Sequence, residues 1–213
     1  LQRAGEFGIA RDLLGKVPAG ADWIIADSQG KARVVVTTHC EYQIACTKAK
    51  ATEERIRQCP GCEVLEVFNS PISEVAQRQP PAVTAWLQKY GTPLYITSVA
   101  DYTADYQVPP LRAGGVAPTD VILVSADGNR SAYERIRTGG QFQAVTASEP
   151  YKMQGYQAVD ELNRAFHGQP PSGWVQKPYL VTAQNVDAEG GDRNTFIPSN
   201  GYADKYAELW GVK

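Results

Sequence analysis

Leu94-Tyr-Ile-Thr-Ser-Val99 and Val121-Ile-Leu-Val-Ser-Ala126 are short apolar runs that each stop at an aspartate, Asp101 and Asp127, and each leads into a segment that reads as a helix. Neither run alternates between apolar and polar residues. Strands apolar on both faces belong to a parallel sheet that is covered on both sides. In open sheets of that kind, the position just past the C-terminal end of a strand is where ligands are held. Two carboxylates in succession at such positions suggest a small-molecule pocket with acceptors for hydroxyl groups, and imply no covalent chemistry.

Further strand-like runs lie on either side at intervals of about 25 to 35 residues, the repeat of a strand–helix unit. They are Ala32-Arg-Val-Val-Val-Thr-Thr38, Glu63-Val-Leu-Glu-Val-Phe68 and Gln141-Phe-Gln-Ala-Val-Thr146, with Pro178-Tyr-Leu-Val-Thr182 as a sixth. Helices are predicted between them over 42–58, over 82–90 opened by Pro80-Pro81, over 131–138 stopped by Gly139-Gly140, and over 150–166 stopped by Gly168. The last carries Tyr156, Val159, Leu162, Asn163 and Phe166 on one stripe. This alternation predicts an α/β fold: a doubly wound, mostly parallel sheet with helices on both faces. The ends differ from the middle. Residues 1–18 read as an N-terminal segment or linker with a helix over 10–15, residues 19–184 as the α/β ligand-binding lobe, entered by a helix over 19–28. Residues 185–213 read as a tail whose closing helix sets Tyr202, Tyr206, Leu209 and Trp210 on one docking face.

With 213 residues, 43% of them hydrophobic and 21% charged, the chain suits one domain with a real core. A net charge of −2 gives no reason to expect nucleic acid as a partner. No apolar run reaches membrane-spanning length. The opening Leu1-Gln-Arg-Ala-Gly-Glu-Phe-Gly lacks the pattern of a signal peptide, so an exported protein would be present here in processed or truncated form.

Cys40, Cys46, Cys59 and Cys62 fall within 23 positions. Cys59-Pro-Gly-Cys62 is compatible with a structural disulfide, inert thiols, half a zinc site or a redox pair. It falls at the end of a predicted helix, where the dipole opposes the thiolate that redox catalysis requires. No glycine-rich phosphate loop follows the first strand, and no nucleophile is paired with a base at a recognisable spacing. The reading therefore contains no catalytic residue, no metal and no cofactor. For ligand contact the candidates are Asp127 and Asp101, with Tyr42 and Tyr102 near the same strand ends as aromatic faces, and Glu149 joins them only through a family resemblance. Each has a plainer alternative: turn residue for Asp127, helix cap for Asp101, first-turn acid for Glu149, ordinary surface tyrosine for the other two.

Gly30-Lys-Ala-Arg-Val-Val-Val36, Cys59-Pro-Gly-Cys62, Val124-Ser-Ala-Asp-Gly128, and Glu149-Pro-Tyr-Lys-Met-Gln-Gly-Tyr-Gln-Ala-Val-Asp160, with Asn185-Val-Asp187 and Tyr206-Ala-Glu-Leu-Trp-Gly211, resemble the second lobe of a type I periplasmic binding protein of the ribose and sugar type. The resemblance covers roughly 19–212. It implies two α/β lobes that close on a sugar without chemistry and present it to an ABC permease, in the periplasm or outside the cell. Asp127 matches the aspartate that accepts hydrogen bonds from sugar hydroxyls. Asp101 matches the second member of an Asn-Asp pair, with Ala100 in the amide position. Ser148 or Glu149 stands where glutamine is frequent, and Lys48 is the nearest counterpart of an arginine on the first helix. On this resemblance the first lobe is absent, which exposes the cleft face as a route to a homodimer. A sensory domain of the same fold, or a thiol oxidoreductase using Cys59 and Cys62, are the rival readings.

Overall fold

The computed structural model describes residues 10–11, 13–176, 179–190 and 193–212. In chain order the elements are β1 (Ala10–Arg11), α1 (Leu13–Asp27), β2 (Arg33–Thr38), α2 (Gln43–Arg57), β3 (Glu63–Asn69), α3 (Val75–Tyr90), β4 (Leu94–Ser98), α4 (Ala104–Ala113), β5 (Val121–Asp127), α5 (Arg130–Thr138), β6 (Gln143–Ser148), α6 (Tyr151–Phe166), β7 (Val175–Gln176), β8 (Tyr179–Thr182), α7 (Val186–Gly190) and α8 (Tyr202–Trp210). Six strands form one sheet in the order β3-β2-β4-β5-β6-β8, parallel except for β8, which runs antiparallel to β6. The expected doubly wound, mostly parallel sheet is therefore present. β1 and β7 pair apart from it as a short parallel ribbon.

Each face of the sheet has its own core. Val34, Val36, Val124 and Val145 meet Ala21 and Ile24 of α1 and Ala45, Ala49 and Ile56 of α2. On the other face Val35, Leu94, Ile96, Val121 and Leu123 meet Val83 and Trp86 of α3 and Val108 and Leu111 of α4. Tyr133 and Ile136 of α5 close a third cluster with Val181, Val186 and Phe196. Valines next to each other in the chain thus serve opposite cores, which is why these strands read as unbroken apolar runs.

Three helices differ from their sequence expectations. α1 is a single helix over Leu13–Asp27 where two were expected, and it crosses the boundary drawn at residue 18. α3 begins at Val75, seven residues before the expected start, and carries Pro80 and Pro81 inside it. Val75, Gln79, Val83 and Trp86 line its buried face at helical spacing, and the carbonyls deprived of a donor belong to Ala76 and Gln77, both exposed and so open to solvent. In α6 the stripe of Val159, Leu162 and Phe166 faces outward, with Phe166 83% exposed, while Gln154, Gln157, Asp160 and Glu161 are buried. The tyrosine at the head of that stripe behaves differently: the Tyr156 ring stacks on Trp210 of α8 at 5.6 Å and meets Tyr202 edge-on at 5.4 Å. Leu209 lies outside that contact and is 65% exposed.

Candidate ligand site at the sheet switch point

The chain passes from β2 outward to β3 and then returns to place β4 on the other side of β2. Between the C-terminal ends of β2 and β4 the connections therefore leave in opposite directions, and a crevice opens at that point of an open α/β sheet. A cavity of about 250 Å³ occupies it, lined by His39 and Tyr42 after β2, Val99, Ala100 and Tyr102 after β4, Asp127 at the end of β5, Ile44, Ala45 and Lys48 of α2, and Ile72. Two larger hollows, of about 370 and 610 Å³, lie at the opposite edge of the sheet among residues such as Pro118, Thr119 and Thr92, which precede strands. Chemistry favours the smaller one: it alone joins a cation, a carboxylate and two phenols.

The charged pair sits at the mouth. Lys48 Nζ lies 3.4 Å from Asp127 Oδ1, with the lysine side chain 10% exposed and the aspartate 29%. Lys48 reaches this point because Ala45, Ala49 and Thr52 seat the same face of α2 against the sheet. Tyr42, 54% exposed, stands on the loop that bridges β2 and α2, and Ile44 and Ile72 extend the apolar rim beside it. Glu41 fixes the far side of this rim, where its carboxylate accepts from the Ile72 amide at 2.5 Å. The Tyr102 ring stacks on His39 at 5.4 Å. Its hydroxyl is buried with no partner among the described residues, and burial, helped by Glu41 and Asp127, pushes its ionisation well above the usual phenol range. It stays a neutral donor at physiological pH.

The floor is a satisfied polar layer. Thr37 donates to Ser98 at 2.8 Å, and Gln107 donates to Ser98 at 3.2 Å and to Gln79 at 3.0 Å. Gln79 donates to Ser70 at 3.1 Å. His39 Nδ1 lies 2.7 Å from the Ser70 carbonyl and Nε2 lies 3.3 Å from Thr103 Oγ1. A carbonyl can only accept, so Nδ1 carries the hydrogen, while the Thr103 hydroxyl can donate to Nε2 or accept from it.

Four of the six residues singled out in the sequence, Tyr42, Lys48, Tyr102 and Asp127, come together at this cavity. Asp101 does not reach it. Its carboxylate is wholly buried and accepts from Ser125 Oγ, Gln143 Nε2 at 2.9 Å, Thr146 Oγ1 at 2.8 Å, and the amides of Gly128 at 2.7 Å and Asn129 at 3.0 Å. Burial raises its pKa to about 6, against the opposing pull of the Ser125 and Asn129 bonds. Glu149 also lies outside the lining. It is 2% exposed and accepts from Gln154 of the first turns of α6 at 2.8 Å. Ile72, Ile44 and His39 are lining residues that the sequence reading missed. The signal available for Ile72 was an apolar residue directly after a strand end, where a turn would otherwise be polar.

All four cysteines are paired, Cys40 with Cys46 and Cys59 with Cys62, at Cα separations of 4.9 and 5.3 Å. The first bridge closes the loop that holds Tyr42. The second follows the C-terminal end of α2, where the Gly61 backbone presses so closely on the Gly30 carbonyl that no side chain fits. No group of three or more metal-ligating side chains occurs among the described residues.

No protein-family model matches the chain, and no curated protein matches it in sequence. Solved structures do. The periplasmic binding protein of the arabinose ABC transporter from Shewanella, bound to arabinofuranose, superposes with a TM-score of 0.74 over 93% of this chain at 17% identity. A periplasmic solute binding protein from Actinobacillus succinogenes with bound D-allose gives 0.76 over 88% at 16% identity. An arabinose binding protein from Geobacillus stearothermophilus gives 0.72 over 85% at 18% identity. This chain spans 64%, 66% and 65% of their respective lengths. With its six-stranded, mostly parallel sheet and helices on both faces, the chain has the fold of the periplasmic sugar-binding proteins of ABC transporters.

Proposed function

We propose that this chain is the solute-capturing component of an ABC importer, binding a sugar or polyol at the switch-point cavity without chemical change. The observation that carries this reading is the joining of Lys48 and Asp127 with the rings of Tyr42 and Tyr102 in one cavity. Asp127 accepts from one hydroxyl, Lys48 donates to its neighbour, and the phenol faces cover the C–H side of the ring. Such a set needs no nucleophile and no cofactor. The working place is the periplasm or the cell exterior, and the downstream partner is the membrane permease.

The cavity is one wall of a cleft. A second α/β lobe, the counterpart of the length by which the arabinose- and allose-binding structures exceed this chain, supplies the opposite wall. One feature supports this: the exposed apolar rim of Tyr42, Ile44 and Ile72. In a two-lobed receptor, closure shifts a population toward the state that contacts the ligand from both sides.

One lobe alone supplies part of those contacts, so binding in the millimolar range is expected. A thermal-shift series with L-arabinose, D-allose, myo-inositol and allitol, with Asp127→Ala alongside, tests the reading. At about 100 mM ligand a site of about 1 mM gains about 2.7 kcal/mol, a rise of about 5–10 °C. A rise for one sugar that vanishes in Asp127→Ala is the expected result. A rise that survives the substitution places the site elsewhere.

A further inference from the structure

Asp127 is a non-glycine residue with φ of +104°, a strained conformation that persists only where surrounding bonds impose it. The next two residues show what imposes it. The Gly128 amide donates to Asp101 Oδ2 at 2.7 Å and to Thr146 Oγ1 at 3.1 Å, and the Asn129 amide donates to the same Asp101 oxygen at 3.0 Å. Gly128 lies against Ser148 so tightly that a Cβ there would stand 2.7 Å from the serine Cβ. Asn129 then caps α5, accepting from the Ala132 amide at 2.8 Å. The other end of Asp101 is equally fixed. Its carbonyl accepts from Arg135 of α5 at 3.2 Å, and Arg135 also holds Gln143, whose amide returns to the Asp101 carboxylate.

We infer that Asp101 is the positioning residue of the ligand site: by gathering the Gly128 and Asn129 amides onto one buried oxygen it fixes the backbone that aims the Asp127 carboxylate into the cavity. This inference rests on the reading of Asp127 as a ligand contact. Asp101 itself never meets the ligand. A polar hub wholly inside the protein thereby sets the direction of a side chain at its surface, through two N–H groups and no side-chain contact.

Three measurements on the isotopically labelled chain test this. Through-bond couplings from the Gly128 and Asn129 nitrogens to the Asp101 carboxyl carbon are expected in the unaltered protein, and their absence overturns the proposal without any substitution being made. In Asp101→Asn the small amide–Hα coupling that φ of +104° gives Asp127 should change to the large coupling of an extended strand. Exchange protection at Gly128 and Asn129 should fall by about tenfold or more, while the amides of Val34, Val35 and Val36 keep theirs. Asp127 coupling and protection that both survive Asp101→Asn overturn the proposal. The ligand arm separates the two readings. Loss of sugar stabilisation in both Asp127→Ala and Asp101→Asn supports the proposal, and loss in Asp127→Ala alone overturns it. Stabilisation retained in Asp127→Ala defeats the ligand role of Asp127, and with it the functional half of this inference, while the couplings still judge the backbone half.

Discussion

Gly128 and Asp101 show how much a single position can decide. Substituting Gly128 by alanine adds a methyl group that meets Ser148 and a side chain at φ of +78°. A loss of roughly 2–4 kcal/mol is expected, read as a lower urea midpoint with unchanged slope. Asp101 makes stability depend on pH in a direction opposite to that of a salt-bridged carboxylate. The folded chain holds its proton to about pH 6, whereas a free carboxyl releases it near 3.8, so the fold binds that proton more tightly than the unfolded chain does. The stability contributed by this group is complete below pH 3.8 and is lost as pH rises through about 6, in all about 3 kcal/mol. Urea unfolding at about pH 4.5 and 7.5 should show this slope in the native chain and a flatter one in Asp101→Asn. The sequence placed both aspartates after buried strands, but the pattern that locates a carboxylate there does not say which way it turns. Asp101 goes inward because Ser125, Gln143 and Thr146, on two other strands, converge on it. Those donors are distant in sequence and carry no local signature. Asp127 emerges because the turn after it is tied down from below.

The central strands were legible as elements because a strand covered on both faces has no polar alternate positions to interrupt it. Helix starts were less so. Pro80 and Pro81 read as the opening of a helix, yet they lie inside α3 because its buried stripe starts at Val75 and extends past them. In α6 periodicity identified an apolar face but could not say what covers it. That face points away from the sheet, so among the described residues little rewards it. Leu162→Gln and Phe166→Gln are accordingly expected to leave the unfolding free energy within about 0.5 kcal/mol per site, measured by urea titration. A comparable change at Ile56 of α2, which is fully buried, should cost several times more. α2 is bracketed covalently, by Cys40–Cys46 at its entry and Cys59–Cys62 at its exit. The loops closed are short, so each bridge contributes about 2 kcal/mol in the chain-entropy account. Reduction under native conditions should lower the melting temperature and speed amide exchange first at the two ends of α2, while the centre of β4 stays protected.

At the scale of the molecule the fold was the most legible property, since strand–helix alternation admits few architectures. The place of the site followed from it, because the chain's turn back from β3 to β4 opens the crevice whatever side chains line it. Its composition was only partly visible: Tyr42 and Lys48, Tyr102, and Asp127 arrive from three separate segments. Beneath them the chain from Thr37 through Ser98, Gln107, Gln79 and Ser70 to His39 and Thr103 has its hydrogen bonds spent internally. A floor of that kind offers an incoming molecule nothing to bargain with and cannot be altered one residue at a time without stranding a buried partner. On the proposed function, a change of ligand is therefore expected to be written on the rim, at Tyr42, Ile44 and Ile72, whose side chains take no part in that network.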